Sequence, residues 1–129
     1  MKANCKLALT LLVGTALGAT AIQGLHAQTK PPSYVIVDIS EVTDAEGYKA
    51  VSQRPREVVA ADLQEFGGRF IANTGKITAL DGAAPRRIVI VAFESTEKAQ
   101  TWVNSKNKKG VDAIRINTTK SRSFIIEGM

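Results

Sequence analysis

Between Arg86 and Phe93 the chain reads Arg-Arg-Ile-Val-Ile-Val-Ala-Phe, a β-branched stretch in which both alternating sets of side chains are apolar. Side chains point to opposite faces along a strand, so a segment of this kind needs cover on both sides of its sheet. One layer of helices covers one face, and something further has to cover the other.

The rest of the chain supplies one such layer. Tyr34 to Ile39 is a second β-branched run, bounded by Pro31-Pro32 and Thr43-Asp44, and reads as a buried strand. Thr43 or Asp44 caps a helix in which Tyr48, Val51, Val58, Val59, Leu63 and Phe66 recur at helical spacing up to Gly67-Gly68. Pro55 removes an amide donor inside it and predicts a kink or short break near Gln53 and Arg54. Arg69 to Asn73 and Lys76 to Leu80 read as two short strand segments about Gly75, followed by a turn over residues 81–85. Ser95 caps a second helix with Ala99, Trp102 and Val103 on one face. A weak helical turn over Val111 to Ile116 and a last strand, Ser121 to Glu127, complete the order βαββαβ. That is the split pattern of ferredoxin-like α+β sandwiches.

Strand parity then sorts the side chains. Val35, Val37, Ile39, Phe70, Ala72, Ile88, Ile90, Phe124 and Ile126 form the expected helix-facing set, which leaves Ile36, Ile71, Val89, Val91, Phe93 and Ile125 opposite. A second copy of the sheet is the economical cover for these, and burial at roughly 1.5 to 3 kcal/mol per side chain predicts a homodimer. The same parity places Asp38, Arg69, Arg87 and Glu127 on that opposite face. One reading makes them structural salt bridges at the interface rim. The other makes them a polar constellation in a barrel cavity that holds a small anionic or carbonyl-bearing ligand, with Arg69 or Arg87 as clamp. Tyr48 and Trp102 read as core by their spacing, with stacking on a ligand as their alternative role. These six residues are the ligand-binding candidates. An enzyme without a cofactor is the alternative function, with Asp38 or Glu127 as base and Arg69 or Arg87 stabilising an oxyanion.

The N-terminal stretch bounds the compartment and the chemistry. Lys2 and Lys6 precede an uncharged run from Leu7 to Leu25, the pattern of a secretory signal. Cleavage is expected after Ala27, with Ala21 as the alternative site and an uncleaved inner-membrane anchor as the competing reading. The expected product is periplasmic or secreted, with residues 28–33 as a polar leader and residues 34–129 as the folded domain. Removing residues 1–27 takes away Lys2 and Lys6 and no acid, which lowers the net charge from +5 to +3. It also takes away Cys5 and His26, the only cysteine and histidine. Neither a disulfide nor a His or Cys metal site is then expected, nor a cofactor or a stable membrane association. Lys106, Lys108 and Lys109 have no interleaved aromatic and read as a solvated loop, not a nucleic-acid surface.

Several segments carry a further likeness: Asp44-Ala45-Glu46-Gly47-Tyr48, Gly67-Gly68-Arg69-Phe70, Leu80-Asp81-Gly82, Arg86 to Ile90, Trp102-Val103-Asn104-Ser105, and Arg122 to Gly128. Their order and spacing resemble the Domain of Unknown Function 1330 family from about Tyr34 onward. The resemblance implies the dimeric α/β barrel fold, and it supplies no reaction, substrate or catalytic residue. In that family a Pro and an aromatic usually follow the position of Ser105, where this chain has Lys106-Asn107-Lys108-Lys109-Gly110. Asp81 stands where the family more often has Glu.

Overall fold

The computed structural model describes residues 30–129. The expected export signal, with Cys5, His26 and both cleavage positions, lies outside the described residues. Four strands and four helices make up the described part: β1 (Ser33–Val42), α1 (Ala45–Ser52), α2 (Arg56–Glu65), β2 (Arg69–Thr74), β3 (Arg87–Phe93), α3 (Thr96–Val103), α4 (Lys106–Thr118) and β4 (Thr119–Glu127). The strands form one sheet in the order β2-β3-β1-β4, every neighbouring pair antiparallel, as in a ferredoxin-like sandwich.

Local chemistry accounts for the helices. Asp44 caps α1 through its side chain, which accepts from the Gly47 amide at 3.1 Å. The expected break falls at Gln53–Pro55: Pro55, at φ −58° and ψ 133°, ends the first helical segment and opens α2. Gly67, at φ +76°, closes α2 in the left-handed region that glycine tolerates. Ser95 and Ser105 cap α3 and α4 by accepting from the amides three residues on.

Three expectations are corrected. Residues 76–80 form no strand; β2 ends at Thr74 and an irregular connection runs to Arg87. The polar stretch from Lys106 is not a solvated loop, because Lys106–Thr118 is a helix of 13 residues that buries Lys108, Arg115 and Thr118. Finally, the faces of β3 and β4 are reversed. Val35 stands opposite Val91 and Ile125, and Val37 opposite Val89 and Ser123, so Val89, Val91, Phe93 and Ile125 face the helices. Ile88, Ile90, Phe124 and Ile126 share the outer face with Tyr34 and Ile36. Hydropathy could not orient two strands that are apolar on both sides; their register with β1 does. In β2 a bulge between Phe70 and Ala72 changes the parity within the strand. Phe70 pairs with Val91 towards the helices and Ala72 with Ile90 on the outer face.

The core lies between the sheet and the helices, around Val35, Leu63, Val91, Phe93, Ala99 and Trp102. The rings of Phe93 and Trp102 meet at 5.5 Å between centroids in a tilted contact.

Candidate functional site: a cavity between sheet and helices

Away from this core the layers separate around a cavity of about 960 Å³, lined by β1, β2 and β3 on one side and by α1, α2, α3 and α4 on the other. Its apolar wall comes from Val37, Ile39, Val59, Phe70 and Val89, with Tyr48 and Trp102 as aromatic members. Arg54, Arg56, Arg86 and Arg87 also line it, and Arg87 Nη1 donates to Asn73 Oδ1 at 2.9 Å.

Helix α4 contributes the most unusual part. Residues 108, 112 and 115 fall on one helical face, which turns Lys108, Asp112 and Arg115 towards the cavity. The side chains of Lys108 and Arg115 are only 8% and 7% exposed. Lys108 Nζ donates to Asp112 Oδ1 and lies 4.8 Å from the Trp102 ring centroid. Arg115 reaches the same Asp112 oxygen at 3.5 Å and donates from Nη1 to Ser121 Oγ at 2.6 Å. One carboxylate thus answers two buried cations. Burial pushes the Lys108 ammonium below the usual lysine range, an effect that Asp112 opposes and the charge of Arg115 reinforces.

The structure brings Tyr48, Arg87 and Trp102 of the expected set to this cavity. Asp38 and Arg69 lie on the outer sheet face, where Asp38 receives a hydrogen bond from Arg122 Nε at 3.2 Å. Glu127 stands exposed at the end of β4, opposite Ser33. Register also puts Arg87 opposite Ile39 on the helix side, so the four expected charges do not share one face. Sequence reasoning missed Lys108, Asp112 and Arg115. The available signal was the spacing of 108, 112 and 115 behind the Ser105 cap, hidden because the stripe is charged where an amphipathic helix shows apolar residues. Among the described residues, no group of three or more His, Cys, Asp or Glu side chains is placed to hold a metal ion.

An antiparallel sheet layered on helices, with an open and largely cationic cavity between the layers, defines a small ferredoxin-like α+β cavity domain. The chain belongs to the Domain of unknown function (DUF1330) family, whose model matches residues 32–129. Among solved structures it is similar to a protein of unknown function from Rhodopseudomonas palustris, with 12% identity and a TM-score of 0.57 over 78% of this chain and 84% of that one. It is also similar to a cofactor-independent oxygenase from Streptomyces nogalater, with 9% identity and a TM-score of 0.51 over 77% and 94% of the two chains. At these identities the likeness is one of fold. No curated protein matches the chain.

Proposed function

We propose that the protein is exported to the periplasm or beyond, works there as a homodimeric α/β barrel, and binds a small organic molecule in the cavity of each subunit. The observation that carries the binding reading is the cavity itself: an apolar and aromatic wall facing a few convergent polar groups is the usual make-up of a small-molecule site. Export rests on the pattern of residues 1–27. Dimerisation rests on the apolar outer sheet face, where Phe124 and Ile126 are 41% and 42% exposed.

A thermal-shift screen of carboxylates, phenols and quinones against the protein tests the binding reading. Stabilisation by at least one class is expected, and none by any class overturns it. Catalysis without a cofactor is the second reading, favoured by a buried titratable amine in the cavity at Lys108. Asp38 and Glu127 lie off the cavity and cannot be its base there. A stabilising compound recovered chemically unchanged after prolonged incubation decides for binding alone.

A further inference from the structure

We infer that the cavity takes an organic carboxylate, its head held at the α4 wall by Lys108, Arg115 and the Trp102 indole N–H, and its apolar body along Val37, Phe70 and Val89. This rests on the binding reading above and adds the chemical class of the ligand.

Two independent features of the same wall support it. The first is charge. Lys108 and Arg115 share the single carboxylate of Asp112, and Asp62, the other acid lining the cavity, forms an ion pair with neither, which leaves an excess positive charge in a poorly hydrated place. The second is hydrogen bonding. Among the described residues, the buried Trp102 Nε1 and Arg115 Nε are the side-chain groups that find no partner, although buried donors are almost always satisfied. Both belong to residues lining the cavity, and Trp102 is in contact with Lys108. A carboxylate is acceptor-only and anionic, so one group answers both deficits. Both nitrogens are closed to solvent, so binding there requires the neighbouring side chains to make room. An inorganic anion would meet the charge but leave most of about 960 Å³ and its apolar wall unused. A neutral ligand would leave the charge unanswered.

Trp102 is the only tryptophan of the chain, so its indole N–H gives a single, self-assigned cross-peak in a proton–nitrogen correlation spectrum. The experiment titrates the labelled full chain separately with benzoate, benzamide and inorganic phosphate. Benzoate is expected to move the indole peak saturably and to bind at least about tenfold more tightly than benzamide, the usual advantage of a hydrogen bond to a charged group. Phosphate is expected to act more weakly than benzoate. Lys108→Met, which leaves Asp112 paired with Arg115 alone, should remove most of the preference for benzoate over benzamide; Asp112→Asn should increase it. Equal affinity for benzoate and benzamide overturns the anionic head and leaves the cavity reading standing. Phosphate acting as strongly as benzoate overturns the organic body. An indole peak that none of the three moves overturns the inference outright, while the wider screen still judges whether the cavity binds anything. The titration of the unaltered protein decides the matter even where a variant fails to fold.

Discussion

Lys108 shows how much of this molecule turns on single residues. Its ammonium faces Asp112 and Arg115 from its own helix and the Trp102 ring from α3. Burial lowers its folded-state pKa below the ordinary 10.5. The unfolded chain then holds this proton more tightly than the folded one. Between the lowered folded value and 10.5, stability should therefore rise with pH, and at neutral pH the charged form is a net cost to folding. Denaturant midpoints at neutral pH and near pH 10 check this: the unaltered protein should gain on Lys108→Met as pH rises, and a constant difference would contradict it. Asp112→Asn acts in the other direction. It leaves two buried cations with no counter-charge and is expected to lower stability by about 3 kcal/mol, the order seen when one partner of a buried pair is removed. The same variant is expected to bind benzoate more tightly. Loss of stability together with gain of affinity separates a binding wall from a merely structural ion pair.

At the scale of elements, local chemistry was legible and long-range register was not. Asp44, Ser95 and the Gly67 stop announce their helix ends by short-range hydrogen bonding and backbone freedom, and Pro55 marks the break between α1 and α2. Ile88 to Phe93 and Phe124 to Ile126 cannot announce which way they face, because apolar side chains alternate with apolar side chains. Only pairing with β1, fifty or more residues away, fixes them. The bulge at Ile71 is equally invisible in the sequence and decides that Asn73 stands opposite Val89, beside Arg87. The polar composition of α4 hid half of the candidate site, since its buried face is made of ions. A tight approach between elements gives a test. A methyl group on Gly68 would lie 2.7 Å from the Phe93 ring and 3.2 Å from Leu63. The ring is held against Trp102 and cannot retreat freely. Gly68→Ala is therefore expected to cost about 1 to 3 kcal/mol, the range for overpacking a core, read as a lower denaturation midpoint.

For the whole molecule, the register changes which residues would hold two copies together. The outer face presents Tyr34, Ile36, Ile88, Ile90, Phe124 and Ile126 in one patch, with the Asp38–Arg122 pair beside it. Among the described residues, helices cover only the other side of the sheet, and a patch of this kind exposed on one small domain favours association with a second copy through the same face. Val91, assigned to that face by strand parity in the sequence, is 1% exposed in the core beneath the helices. Two neighbouring substitutions therefore separate folding from assembly. Val91→Asp buries an unpaired carboxylate among Val35, Leu63 and Phe93 and is expected to unfold the domain. Ile90→Asp places the same charge one residue along, opposite Ile36 on the outer face, where a monomer hydrates it and a dimer interface does not. Light scattering should give the unaltered protein twice the mass of its chain and Ile90→Asp the mass of one, with cooperative unfolding retained. A monomeric unaltered protein, or an Ile90→Asp variant that still dimerises, would remove the outer face as the interface. A dimer lost through Ile90 but not through equally charged changes in the 76–80 connection would locate the contact on the sheet.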